Sequence, residues 1–320
     1  MKSVLGSIVR SALGLSPQET NFEARGFRTH NPAMRAHLEQ VGAAFVNGYH
    51  AGLEPDTPEN LAAELDRTTP ELRGFAYEGA AMSLALLDTL TPWRRDRVAE
   101  FLRAAGDAHV YMIHIGVGWA WARLPVNLSR GKARFDPVLR WLALDGYGFH
   151  EAFFKWPRYL AGANYPRRLS GYDCRAFDQG FGRCLWFVDG GDVEAIAQTI
   201  TTLNPQRHAD LWSGVGLAAT YAGGASDASL IQLRELAGRF QPQLAQGSAF
   251  AAKARQRAGN STGYTDVVTR ILCEMSAPAA AQLCDTTLEN LPANADQPAY
   301  EIWRCRIQKH FQPQPQLQEA

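Results

Sequence analysis

The sequence predicts an all-α, multi-helical protein in which two pseudo-repeated helical halves pack together. Helix-start signals recur along the chain, and apolar residues follow each one at helical spacing. No two alternating strands joined by a tight turn stand out in the sequence. In each start signal a Thr or Asn can cap the helix, and a proline at the first helical position loses no needed donor. The signals are Asn31-Pro32, Thr57-Pro58, Thr69-Pro70, Thr91-Pro92 and Asn204-Pro205.

These signals and the apolar spacing predict the helices one by one. In the first part of the chain we expect helices at 32–52, 58–67, 70–89, 92–105 and 108–123. In the middle we expect helices at 136–155, 174–188, 192–202 and 205–222. Towards the end we expect them at 227–239, 242–257, 264–276, 277–290 and 297–311.

The two halves are predicted from a shift of 135 residues that superimposes their helix-start signals. The shift places Asn204-Pro205 on Thr69-Pro70 and Gly214 on Gly79. Few positions are identical, so chance likeness between amphipathic helices is the alternative. A solenoid would recur every few dozen residues, and we do not expect one.

We expect one helical domain over residues 26–311, with pseudo-repeats at about 31–124 and 171–256. The connection at 125–170 is aromatic and contains prolines, whereas flexible linkers are polar, so it should pack against both halves. Helices at 264–311 complete the domain. Residues 1–25 form an N-terminal extension, and residues 312–320 form a Gln- and Pro-rich tail that we expect to be disordered.

Composition argues against several classes of function. The 32 basic and 32 acidic side chains cancel, and zero net charge gives no reason to expect a nucleic-acid partner. Five cysteines without a Cys-X-X-Cys pair predict buried thiols in a cytoplasmic protein, not a zinc site or a disulfide framework. The apolar stretch at 1–15 is too short and interrupted to span a bilayer. A peripheral membrane contact through it stays open.

Motifs for common cofactors and nucleophiles are missing from the chain. There is no GxGxxG, P-loop, HExxH or GxSxG sequence. We therefore expect no cofactor and no metal. Chemistry would then depend on polar residues within apolar helices, where desolvation raises the pKa of a carboxyl group and suits it to acid–base work.

Five residues are the candidates for catalysis. An aspartate–histidine pair within LALDGYGFHEAFFKW can orient an imidazole. The structural alternatives are a carboxylate–arginine pair between Glu78 and Arg123, a core histidine at 114, and a helix-breaking turn capped by Asp145. The candidates are Glu78, His114, Asp145, His150 and Glu151.

Nine further residues are candidates for substrate binding, because an apolar cavity with a few convergent polar groups is typical of a small-molecule site. Arg183 is expected to pair with Asp178 or to bind an anionic group. An ordinary helical core has the same composition, so this alternative stays open. The candidates are Tyr77, Trp119, Arg123, Asp178, Arg183, Trp186, Trp212, Gln246 and Arg255.

Six stretches together resemble the bacterial domain of unknown function 1702 family. They are GFAYEGAAM, HIGVGWAWARL, LDGYGFHEAFF, GFGRCLWF, DLWSGVGLAATYAGG and QGSAFAAKAR, and the resemblance runs from about Phe22 to Ala258. Members of that family recur in gene clusters for enediynes and related natural products. The resemblance implies a role in making or handling a polyketide- or polyene-derived metabolite, but it supplies no catalytic residues.

The function that we expect is acid–base chemistry without a cofactor on a hydrophobic, polyene-like intermediate of natural-product biosynthesis, as an isomerisation, cyclisation or hydration. The alternative is a non-catalytic protein of the same pathway that binds a metabolite or acts as a scaffold. A third hypothesis is a peripheral membrane component anchored by residues 1–15. The expected partners are a hydrophobic small molecule and pathway enzymes, in the cytoplasm or at a membrane.

Overall fold

The computed structural model describes residues 11, 13–54, 56–91, 93, 96–292 and 295–312. This part of the chain is helical and contains no strand, so the predicted all-α, multi-helical fold is confirmed. Residues 1–10 and 12 of the expected membrane contact, and residues 313–320 of the expected tail, lie outside the described residues.

The α-helices follow one another closely along the chain. In order they are α1 (Phe22–Arg25), α2 (Pro32–Leu53), α3 (Pro58–Leu65), α4 (Pro70–Leu90), α5 (Arg97–Phe101), α6 (Val110–Arg123), α7 (Leu128–Lys132), α8 (Trp141–Leu160), α9 (Tyr172–Val188), α10 (Val193–Thr202), α11 (His208–Tyr221), α12 (Asp227–Ala237), α13 (Gln241–Arg257), α14 (Gly263–Leu272), α15 (Ala277–Leu288) and α16 (Ala299–His310).

Most of the longer helices form one layer in which each helix packs against the next one along the chain. This layer runs in the order α2, α4, α6, α8, α9, α11, α13 and α15. In the later part of the chain the shorter helices α10, α12 and α14 form a second layer in the same way. Stacking of sequence neighbours is the architecture of α-solenoids.

Glycines allow the helices of the main layer to touch backbone against backbone. Helices α6, α8, α9 and α11 each contain a Gly-X-Gly sequence. A β-carbon added at Gly146 of α8 would lie 2.0 Å from the carbonyl oxygen of Ile115 on α6. One added at Gly148 would lie 2.1 Å from the carbonyl oxygen of Phe177 on α9. The first glycine therefore faces the preceding helix and the second faces the following helix.

The same contact recurs at intervals of between 30 and 37 residues, so the expectation that no short repeat exists is wrong. The shift of 135 residues spans four of these repeats. The connection at 125–170 is itself one repeat, since α8 provides Gly146 and Gly148 to the layer. The glycines that face the preceding helix are Gly79, Gly116, Gly146, Gly180, Gly214 and Gly247.

The layer curls until its first and last repeats meet. His37 Nε2 on α2 lies 2.6 Å from the carbonyl oxygen of Ala222, which follows α11. Arg255 Nη2 on α13 donates to the carbonyl oxygen of Glu71 on α4, at 3.1 Å. Residues far apart in sequence therefore meet between these helices.

Most of the predicted helix starts agree with the structure, and two differ. Asn31, Thr57 and Asn204 accept backbone N–H groups as caps, whereas Thr69 makes no side-chain cap. The helix expected at 92–105 begins at Arg97 instead. Thr91 ends α4, and its hydroxyl group donates to the Leu87 carbonyl oxygen, so it is not a helix start.

No helix in the described part of the chain combines the length and apolarity needed to cross a bilayer. All five thiols are free, and those of Cys184, Cys273 and Cys284 are buried.

The glycine contacts make a direct prediction about stability. A β-carbon at Gly180 would lie 1.8 Å from the Asp145 carbonyl oxygen, so Gly180→Ala should lower the free energy of unfolding by about 3 kcal/mol or more. The control is Gly263→Ala at the start of α14, where nothing lies within 4 Å, and it should change stability by less than about 1 kcal/mol. Urea unfolding measures both, and equal effects would contradict the close packing.

Candidate functional site

In all but one repeat, the residue before the glycine that faces the preceding helix belongs to a buried polar row. Because successive helices cross at their glycines, the equivalent positions of neighbouring helices are adjacent. Isoleucine occupies this position on α6, at Ile115, and polar residues occupy it on the other helices. These polar residues, all buried, are Glu78, Asp145, Gln179, Ser213 and Gln246.

Hydrogen bonds join the polar row from α8 to α13. Gln179 Nε2 donates to Asp145 Oδ2 at 2.7 Å. Ser213 Oγ donates to Gln246 Oε1 at 2.9 Å and lies 3.5 Å from Gln179 Oε1. Most of the buried polar atoms of the row are therefore paired, whereas Gln246 Nε2 has no partner in the described part of the chain.

Arg183 connects Glu78 to the row across the gap at Ile115. Its Nη1 atom donates to Asp145 Oδ1, and its Nη2 atom lies 3.8 Å from Glu78 Oε1. Trp119 Nε1 donates to the same Glu78 oxygen at 2.9 Å. We call Glu78, Trp119, Asp145 and Arg183 the acid site.

The acid site contains one cation and two carboxyl groups. Asp145 accepts the direct hydrogen bond from Arg183. The Asp145 carboxylate therefore neutralises most of the guanidinium charge. Burial raises the pKa of Glu78 to about 7, and the charge of Asp145 adds to this rise, while Arg183 and the Trp119 hydrogen bond oppose it. A carboxyl group that titrates near neutrality can act as a general acid or base.

Glu78 and Arg183 border an aromatic cavity between the helices of the main layer. The cavity contains about 490 Å³ of space free of atoms, including the part open to solvent. Its apolar lining comes from α2, α4, α6, α8 and α9, and consists mainly of Val41, Phe45, Val46, Phe75, Trp119, Phe149, Phe153, Phe154 and Phe187.

Residues 13–20, which we call the strap, cover one side of the cavity. Leu15, Glu19 and Thr20 of the strap line it. Tyr49 Oη donates to the Leu13 carbonyl oxygen at 2.7 Å, which holds the strap on α2. The described part of the expected N-terminal extension is thus a wall of the cavity.

The strap also depends on a glycine. A β-carbon at Gly42 of α2 would lie 2.5 Å from Thr20 Cβ. A larger residue at position 42 would therefore push the strap away from α2.

The structure brings together four of the predicted site residues, but with different partners. Glu78, Trp119, Asp145 and Arg183 form the acid site, and Gln246 lies at the far end of the polar row. The predicted Asp178–Arg183 pair is wrong, because Asp178 faces away from the row. Asp178 Oδ1 accepts from Arg207 at 2.7 Å and its Oδ2 accepts from Tyr165. Glu78 lies near Arg183, and not beside Arg123 as the alternative supposed.

The predicted Asp145–His150 pair is also wrong. Helix α8 passes both of its glycines without a break, so Asp145 does not cap a turn. The two glycines are contact points with α6 and α9. The side chains of Asp145 and His150 contact different neighbours. His150 packs edge-on against Trp119, at 5.4 Å between ring centroids, and burial lowers its pKa to about 3.

Glu151 and His114 have structural partners outside the acid site. Glu151 accepts from Lys155 and Tyr159, each at 2.8 Å. His114 Nδ1 lies 2.7 Å from the Val110 carbonyl oxygen. Burial lowers the pKa of His114, so it is a neutral core histidine.

The remaining predicted binding residues do not line the aromatic cavity. Tyr77 donates to Asp66 at 3.1 Å, and Trp186 Nε1 donates to the Gly223 carbonyl oxygen at 3.0 Å. Arg255 joins the first and last repeats, and Arg123 is exposed at the end of α6. Those that lie elsewhere are Tyr77, Arg123, Trp186, Trp212 and Arg255.

Several residues that complete the polar row were missed from sequence. Gln179 and Ser213 carry a readable signal, since each precedes the first glycine of a repeat. Tyr300 and Arg304 of α16 carry no such sequence signal. Gln179 Nε2 donates to Tyr300 Oη at 2.9 Å. Arg304 Nε donates to Gln246 Oε1 at 3.2 Å. Within the described ranges, no three His, Cys, Asp or Glu side chains are grouped as metal ligands.

The Arg183–Asp145 pair should be essential for stability. Arg183→Met leaves the buried Asp145 carboxylate without its cation, so the free energy of unfolding should fall by about 3–5 kcal/mol. The control is Arg234→Met, because Arg234 pairs with Glu274 at the surface, and its effect should stay below about 1 kcal/mol. If urea unfolding gives similar losses for both variants, the pair does not organise the site.

Protonation of Glu78 should be visible in the folded protein. With side-chain carboxyl carbons of glutamate labelled with ¹³C, one signal should titrate near pH 7 and be missing in Glu78→Gln. The folded state holds this proton more tightly than the unfolded state, since burial raises the pKa from 4.5 to about 7. The contribution of Glu78 to stability should therefore fall by roughly 3 kcal/mol as the pH rises through that interval. A Glu78 signal that titrates near 4.5 would contradict this assignment.

Comparison with known proteins places the chain in a family. The family model described as "Protein of unknown function (DUF1702)" matches residues 4–311. Neither curated proteins nor solved structures gave a significant match. The matched range includes every residue of the acid site and of the polar row. Because the match covers nearly the whole chain, the chain belongs to the DUF1702 family.

Proposed function

We propose that this protein catalyses acid–base chemistry without a cofactor on an elongated hydrophobic intermediate of natural-product biosynthesis, with Glu78 transferring the proton. One observation supports this most strongly: a carboxyl group with a pKa of about 7 borders an aromatic cavity. A polyene-like substrate, from an enediyne or a related polyketide pathway, is part of the proposal because of the clusters in which the family resemblance places such proteins.

The proposed steps conserve the proton. Glu78 in its acid form protonates a conjugated substrate, and the resulting carboxylate lies near the Arg183 guanidinium. Aromatic rings such as Trp119 and Phe149 stabilise the cation on the substrate. Loss of a different proton to Glu78 completes an isomerisation. Attack by another double bond before that loss gives a cyclisation, and attack by water gives a hydration.

A protein that binds a metabolite without changing it is the second candidate. Its support is that Glu78 has no acid–base partner across the cavity within the described part of the chain. The other acidic residue of the lining, Glu19, belongs to the strap and pairs with Arg25 at 3.1 Å. A covered cavity with one buried carboxyl group suits sequestration as well as catalysis.

Deuterium exchange distinguishes the two candidates. The protein is incubated in D₂O with a panel of linear conjugated polyenes, and mass spectrometry records deuterium in the recovered molecules. Catalysis predicts incorporation that falls at least about 100-fold in Glu78→Gln. The control, Glu64→Gln, changes an exposed residue of α3 and should exchange like the wild type.

The other outcomes are equally informative. Stoichiometric binding without incorporation would replace catalysis by sequestration. If the polyenes neither bind nor exchange, the aromatic cavity is not the functional site.

A further inference from the structure

We infer that the ligand of the aromatic cavity presents a neutral oxygen acceptor to Glu78, as the carbonyl of a ketone, aldehyde or ester would, and that free carboxylates are disfavoured. The inference names the ligand class of the same cavity and so rests on the proposed function. It follows from the charges of the acid site, from the free oxygen of Glu78 and from the rest of the lining.

The charges of the acid site already balance when Glu78 holds its proton. Arg183 is the cation that faces Glu78, and Asp145 is the carboxylate that neutralises it. Burial raises the pKa of the neighbouring Tyr221, from α11, so its hydroxyl group adds no charge. A ligand carboxylate would bring an uncompensated negative charge into a buried site, which is costly.

Arg183 is poorly placed to receive a ligand carboxylate. One of its nitrogens is used by Asp145. Its guanidinium also lies over the Phe149 ring, 4.9 Å from the centroid. A ligand carboxylate on the remaining nitrogens would lie beside the Asp145 carboxylate, a buried group of the same charge.

Glu78 is well placed to donate to a ligand. Its Oε1 atom accepts from Trp119 and is the oxygen closer to Arg183. Among the described residues, its Oε2 atom has no hydrogen-bond partner, so the proton belongs there. A donor without a partner in an apolar cavity costs free energy, and a neutral acceptor on the ligand removes that cost.

The rest of the lining fixes the direction of the ligand. Beyond Glu78 and Arg183 the wall is aromatic and aliphatic until the strap, where Glu19 is the next acidic side chain. At that end Glu19 is already paired with Arg25, so a ligand carboxylate would find no uncompensated cation there. The oxygen of the ligand therefore lies at Glu78, and its apolar chain extends towards Leu15.

Energy transfer from tryptophan to parinaric acid and to its methyl ester tests the inference, because the two probes share one polyene chain. At about pH 6 the ester should bind at least tenfold more tightly than the acid. At about pH 8, where Glu78 has lost its proton, binding of the ester should weaken several-fold. In Glu78→Gln the amide donates at both pH values, so the ester should bind with little pH dependence. Glu64→Gln should behave like the wild type.

Three results would overturn the inference. The first is an acid that binds as tightly as the ester, and the second is wild-type binding of the ester that does not change with pH. The third is energy transfer that Trp119→Phe leaves unchanged, since the probe would then lie elsewhere.

The hydrocarbon rod diphenylhexatriene separates this inference from the proposed function. If neither the ester nor the rod binds, both are wrong. If the ester is preferred over the rod and the acid but no polyene exchanges deuterium, the ligand class stands and catalysis is wrong.

Discussion

Backbone contact at glycine holds six successive helix crossings together in the described part of the chain. Because a β-carbon at these positions would overlap a carbonyl oxygen of the neighbouring helix, the spacing and register of the layer are fixed. The register then determines which side chains meet inside. Residues directly before the first glycines, such as Asp145 and Gln179, become neighbours although they are 34 positions apart. The buried polar row is therefore a consequence of the way the helices pack.

The two ends of the row differ in how their charges are balanced. Near α16, Arg175 and Arg304 balance the buried carboxylates of Asp210 and Glu301. At the cavity, one arginine faces two carboxyl groups. The first end is a structural network, since every charge has a partner. At the second end, burial raises the pKa of Glu78 to about 7, and the proposed acid–base chemistry depends on that proton.

Much of the fold could be predicted from local signals, whereas the pairing of site residues could not. An asparagine cap before Pro32 and the apolar spacing predict a helix at 32–52, and α2 spans Pro32–Leu53. Glu78 and Arg183 can be identified as candidate site residues because polar residues stand out in apolar helices. Their partners were missed because those contacts cross between helices that local patterns do not relate. The glycines on either side of Tyr147 fit the helix-breaking turn that the sequence leaves open, yet they are contact points between helices. The repeat is visible only when these glycines are aligned, since little else recurs.

A crystal structure of the complex with parinaric methyl ester tests the central claim most directly, because it shows both the position and the direction of a ligand. The account predicts the polyene between Phe45 and Phe149, with its carbonyl oxygen within hydrogen-bonding distance of Glu78 Oε2. An ester group that lies under the strap beside Leu15, or a polyene bound outside the aromatic cavity, would contradict it.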